Sequence, residues 1–179
     1  MRRKQRQLNN QTDDIGASWR RELPGRDLTI LLLAIFIMRM GRMVDDTYDR
    51  ICRAKFGISG ADMRVLFALR RAGKPYALRP TDLYRALVVT SGAITKQVDR
   101  LSKLGLVERT AASETGGTVV RLTTKGFKSV TIALELVMSD SVIAMALSDL
   151  SSAEKSSAYA LCEHMLLHLD KSRKVKGSA

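Results

Sequence analysis

The chain has 179 residues, 30 Lys and Arg against 18 Asp and Glu, and a formal net charge of +12. That length suits one ordinary domain, and the basic excess favours polyanionic partners, because each phosphate neutralised by Lys or Arg releases a counterion. The start, MRRKQRQLNNQTDD, has no apolar core behind it, and the longest apolar stretch, Leu28 to Met38, is broken by Arg39. A bilayer span needs roughly 20 apolar residues, so the expectation is a soluble, cytoplasmic protein with no membrane partner. Cys52 and Cys162 lack CxxC spacing and read as small buried hydrophobes in a reducing compartment.

In chain order, residues 1–11 form a basic, polar tail. A short helix over 13–22 holds the lone tryptophan, Trp19, and breaks at Leu23-Pro24-Gly25. A long helix follows from about Asp27, its N-cap, to Lys55, with Gly57 past its end. Its first half is apolar nearly all round, which requires cover on most sides; a second copy of the chain is the natural cover. Ser59 and Asp62 form a capping box for the next helix, which ends at Gly73. A loop, KPYALR, leads to Pro80 at the first position of a short helix, PTDLYRAL. Thr90 caps a further helix, SGAITKQVDRLSKL, stopped by Gly105. The period then changes. LVERT and TVVRLT read as two strands of a hairpin joined by AASETGG. Thr123 caps a long helix over 125–147, and Ser151 with Glu154 boxes a last helix ending near Leu169, before a basic tail over 171–179.

Two short helices joined by a tight turn and followed by a hairpin make a winged helix-turn-helix. The fold class is therefore mainly α with a small β-hairpin wing. The organisation is N-terminal helices over 12–57, a DNA-binding lobe over 58–124 and C-terminal dimerisation helices over 125–170. In such lobes the second helix lies in the major groove with its N-terminal residues at base edges. Here that end offers Thr90, Ser91, Gly92 and Thr95, small or hydroxylic residues suited to close approach and to phosphate at a helix N-terminus. Lys96, Gln97 and Arg100 are long enough to reach bases or backbone. A plain solvated helix face is the other reading of the same residues.

The run LYRALVVTSGAITKQVDRLSKLGLVERT, followed by VVRLTTKG, resembles the MarR family of regulators. The resemblance is strong over 58–126 and extends to the order of the flanking helices. It implies an obligate homodimer on double-stranded, palindromic operator DNA, usually a repressor relieved by a small ligand. Family wings commonly carry an Asp-Arg-Arg cluster near the tip. Here the tip, Ser113 to Thr118, has no basic residue, which leaves Arg109 and Arg121 as the phosphate contacts. Trp19, ELPGRD and RRAGKPYALRPTDLYRAL are similar to the urate-responsive branch. That branch's acidic ligand position falls on Arg64, its basic one on Gln97 and its basic wing-strand position on Arg109.

An arginine in place of the acid changes the preferred ligand. A buried guanidinium needs an anion and binds carboxylates bidentately. With Trp19, Met38, Arg42, Met63 and Phe67 around it, Arg64 points to a small anionic aromatic effector; pairing of Arg64 with Asp45, Asp46 or Asp62 is the competing reading. No P-loop, GxGxxG, GxSxG or HExxH pattern is present, so no enzyme and no cofactor are expected. His164 and His168 stand four apart on one helix and read as structural, with no metal expected. Two rival inputs stay open: a redox-sensing Cys52, flanked by Arg50, Arg53 and Lys55, and a non-specific architectural DNA binder.

Overall fold

A computed structural model describes residues 14–111 and 117–176, with side chains through 171. The N-terminal tail, the expected helix start at Asp13, most of the wing tip (Ser113 to Gly116) and the end of the basic C-terminal tail lie outside the described residues. The rest forms two compact units divided between Arg50 and Ile51.

The first unit holds helix α1, residues 14–22, and most of helix α2, Thr29–Phe56. Gly25, at φ +75°, turns the chain between them. The Asp27 carboxylate accepts the Thr29 N–H at 2.9 Å, doing what an N-cap does for an orphan donor. Those bonds hold the Asp27 carboxyl below its usual pKa. The apolar first half of α2 is left uncovered: Ile30, Leu33, Ile37, Met38, Met40 and Met43 are all exposed, Ile30 at 78%.

The second unit contains α3 (Gly60–Arg71), β1 (Ala77–Leu78), α4 (Pro80–Leu87), α5 (Ser91–Lys103), β2 (Val107–Ala111), β3 (Thr118–Leu122), α6 (Thr124–Ser139), α7 (Val142–Ala146) and α8 (Ser152–Lys176). Helical spacing buries Met63, Leu66 and Leu69 of α3 against Leu83, Ile94, Val98, Leu101, Val120 and Val130. Both arms of the α3 capping box form: Asp62 N–H donates to Ser59 Oγ at 3.0 Å, and Ser59 N–H to Asp62 Oδ2 at 3.4 Å. The box at α8 forms too, with Ser151 N–H donating to Glu154 Oε2 at 2.8 Å. The Ser151 hydrogen bonds pull the Glu154 carboxyl below its ordinary range.

Four expectations need correction. The KPYALR segment is not all loop: Ala77 and Leu78 pair antiparallel with Arg121 and Val120, so the sheet has three strands in the order β1-β3-β2. Two residues are too few to show a period of two. The helix expected over 125–147 breaks after Ser139. Asp140 leaves helical geometry at φ −135°, and Ser141 Oγ accepts the Ala144 N–H at 3.0 Å to start α7. A Ser-Asp-Ser cluster gives the backbone side-chain partners that compete with the helix. The last helix runs past Leu169 to Lys176. Cys162 is exposed; only Cys52, at 1% exposure, behaves as a buried hydrophobe.

By length and composition alone Thr124–Ala146 could cross a membrane, yet the break at Asp140 divides it, and Val130 and Ala133 pack into the lobe core.

Candidate nucleic-acid interface

Helix α5 is built to present its first turn. The helix-turn-helix turn runs through Val88, which ends α4 in the left-handed region at φ +60°, a conformation costly for a β-branched residue. Thr90 Oγ1 then accepts the Ala93 N–H at 3.3 Å, which caps α5. Ile94, Val98 and Leu101 anchor its inner face in the core. That leaves Ser91, Gly92, Thr95 and Lys96 exposed on the outside. The Thr95 hydroxyl donates to the Ser91 carbonyl at 3.2 Å. No side chain shields the backbone at Gly92, and a Cβ there would meet nothing within 4 Å.

Gln97 and Arg100 do not join that face. Gln97 is 8% exposed, and its Oε1 is buried without a hydrogen-bond partner. Four-residue helical spacing puts it on the turn below Ala93, with Val98 and Leu101 on the core side, so it cannot reach a base edge. Arg100 turns back to Asp62: Nη2 lies 2.7 Å from Oδ1 and Nε 3.3 Å from Oδ2. This two-point pairing with a buried carboxylate raises the Arg100 pKa further, through the hydrogen bond to Asp62. It ties the recognition helix to α3. Asp62 therefore does two jobs, one in the capping box and one in the ion pair. The Ser59-x-x-Asp62 spacing showed the first; nothing in the sequence marked a partner 38 residues away.

The wing is fastened to the same helix. Arg109 Nη2 lies 2.6 Å from Asp99 Oδ1, with both side chains near half exposed. Arg109 thus starts from an ion pair on the protein and can offer its remaining donors outward. Arg121 sits mid-sheet on β3, opposite Glu108 and Ala77, with its Nε buried and unpartnered. It is half-buried and stands inside the sheet instead of at a free strand end.

The C-terminal end of α5 is gripped as well. The Thr123 hydroxyl donates to the Gly105 carbonyl at 2.7 Å, and the Thr123 N–H to the Leu106 carbonyl at 3.2 Å. Lys125 Nζ donates to the Leu104 carbonyl at 2.9 Å. Thr123 Oγ1 in turn accepts the Gly126 N–H at 3.0 Å. The segment TTKG is thus a clasp that satisfies the carbonyls left over where α5 ends.

The expected ligand residues are divided. Trp19, Met38 and Arg42 belong to the first unit, with Trp19 37% and Met38 68% exposed. Met63 faces the core at 0% exposure because it shares the inner face of α3 with Leu66, so it lines no open pocket. Arg64 and Phe67 do come together, with Ala68, Arg71, Ala86 and Leu87, around a concavity of about 150 Å³ between α3 and α4. Arg71, one turn on from Phe67, was not foreseen; the i, i+3/i+4 spacing of Arg64, Phe67 and Arg71 was its available signal.

A helix pair turning through Val88, a capped helix with an exposed first turn and a sheet-based wing define a protein of the winged helix-turn-helix class. Residues 56–117 match the sequence profile of the MarR family. The chain is similar to transcriptional regulators of that family. It is 29% identical over 165 residues to the HTH-type transcriptional regulator PecS of Dickeya dadantii, covering 91% of this chain and 97% of that one. Apo MarR from E. coli superposes with a TM-score of 0.62 at 27% identity, covering 75% of this chain and 96% of its own. A mutant E. coli MarR complexed with operator DNA does so at 0.65 and 26%, covering 78% and 96%.

Proposed function

We propose that the chain binds palindromic operator DNA as a homodimer, most simply as a repressor in the cytoplasm, and that a small aromatic carboxylate releases it. The observation that carries the reading is the exposed first turn of α5. Its small and hydroxylic residues and Lys96 face outward, and the helix is held from behind by Asp62–Arg100 and from the side by Asp99–Arg109. The relative solved with operator DNA, similar at 26% identity, supports it. Two copies place two such helices about one helical turn apart.

Selection from a random duplex library, read by fluorescence anisotropy, tests the core of this. Enrichment of a two-fold symmetric site is expected. Lys96→Ala should weaken binding to all sequences alike and lower the salt slope by about one. Binding without sequence preference would instead indicate an architectural binder.

For the effector, Arg64 and Arg71 supply guanidinium groups on either side of Phe67, around a space of about 150 Å³. A cavity of roughly that volume admits benzene, so a monocyclic aromatic acid fits better than an indole acid. The ligand acts only through its difference in affinity between DNA-bound and released states. Calorimetry with benzoate-type acids should show binding that Arg64→Ala removes; binding untouched by that change would overturn the assignment. Cys52, at 1% exposure, is shielded from oxidants, which favours a ligand over a thiol as the input. Peroxide is expected to leave DNA affinity unchanged.

A further inference from the structure

Five consecutive residues, Val88 to Gly92, are exposed where α4 passes into α5. The last three are small or hydroxylic, but the first two are apolar: Val88 is 55% and Val89 38% exposed. A single exposed valine needs no account. Val88 does, because it also holds φ +60° and ψ +41°, and a β-branched side chain there crowds its own backbone. Glycine would relieve the crowding, and a side chain this exposed gives little packing in return. Strained residues that the surrounding structure holds in place cluster at functional sites. Here the hold is a pair of hydrogen bonds: the Tyr84 carbonyl accepts the Val88 N–H and, at 3.2 Å, the Val89 N–H. The backbone that carries both valines is thereby fixed directly ahead of Thr90, the cap of α5.

We propose that Val88 and Val89 read the 5-methyl group of a thymine in each operator half-site. The inference rests on the operator binding proposed above and adds the base that the turn selects. A valine side chain can neither donate nor accept a hydrogen bond, so a phosphate gives it nothing. In the major groove every base edge presents hydrogen-bonding groups, and thymine alone adds a methyl group. An apolar pair entering the groove beside the first turn of α5 therefore favours thymine at the position it meets. A polar edge there would lose its water without gaining a partner. Burying one methyl group changes affinity by about fourfold, so a symmetric site with two such contacts gains about fifteenfold.

Deoxyuridine substitution in the selected operator, followed by fluorescence anisotropy with the full chain, tests this. Selection with the parent should enrich a thymine at one symmetric position of each half-site. Deoxyuridine at that position, which lacks only the 5-methyl group, should weaken binding by about fourfold in one half-site and about fifteenfold in both. The double variant Val88→Gly/Val89→Ala, with its fold checked by circular dichroism, should bind the thymine and deoxyuridine duplexes alike, whereas Lys96→Ala should keep the parent's ratio. Sequence-specific binding with no deoxyuridine effect at any position would overturn the proposal and leave operator binding standing. So would deoxyuridine effects that all survive in the double variant. A parent chain with no preferred sequence would overturn both.

Discussion

Gly126 sits where the start of α6 crosses the chain leaving α5. A Cβ built on it would overlap the Leu106 carbonyl oxygen and crowd Leu122. That oxygen also accepts from Thr123, so it cannot retreat without losing the clasp. Gly126→Ala is therefore expected to destabilise by about 3 kcal/mol or more, visible as a lowered urea midpoint. Val88 offers the opposite case. It is 55% exposed and has φ +60°, so it gives up little packing and carries a left-handed backbone. Val88→Gly should raise stability by about 0.5–1 kcal/mol, measured by the same denaturation. Neither residue's role was fully legible in the sequence. The glycine in RLTTKG could be seen as part of a motif, but the atom it avoids belongs to a residue 20 positions earlier. The turn at Val88 lacked the glycine that usually announces a left-handed residue.

Local chemistry made the helices legible, and three-dimensional partners made up the rest. Ser59, Thr90, Thr123 and Ser151 each cap the helix their sequence neighbourhood assigned them, because a cap needs partners only three residues away. Gln97 reads as solvent-facing because long polar side chains on a helix usually are, but the core around α5 buries it, and Arg100, though half exposed, is turned toward α3 by the carboxylate of Asp62. Removing either end of Asp62–Arg100 tests that link. Asp62→Ala loses the reciprocal arm of the capping box, the bond from the Ser59 N–H, as well as the ion pair. A double-mutant cycle with Arg100→Ala should show a coupling energy well above the median for exposed pairs, together with weaker DNA binding. The caps at α2 and α8 carry a pH signature. Asp27 and Glu154 both have lowered folded-state pKa values. Their contribution is present above the ordinary carboxylate range and is lost as pH falls through the lowered values. Acid titration followed by circular dichroism should show helix loss on that limb, flattened in Asp27→Asn with Glu154→Gln.

At the level of the whole molecule, charge and exposed apolar surface point to separate partners. The net charge of +12 predicts DNA affinity that falls steeply with salt. In the first unit the apolar side chains along α2 remain exposed, and in the second unit so do Ile132, Val137 and Met138 of α6 and Tyr159, Leu161 and Leu166 of α8. Exposed apolar side chains in such numbers mark association surfaces. Leu33→Glu on α2 should therefore yield a monomer in sedimentation. It should also lower operator affinity by roughly 100-fold or more, because two half-sites no longer bind as one. The need for outside cover was legible from the all-round apolar pattern of the long helix, whereas which side chains form the concavity beside Arg64 was not.

The clasp at Thr123 and Lys125 gives the reading helix a pivot. Helix α5 has 13 residues, about 20 Å at 1.5 Å per residue, so a tilt of roughly 5° about its fastened end swings the first turn by about 1.7 Å. Direct hydrogen bonds to base edges hold over a range of only about half an ångström. Because the fastening residues belong to the start of α6, a small rotation of that helix is geared up at the tip of α5. A few degrees at the clasp are enough to move Ser91 and Gly92 out of register with a groove.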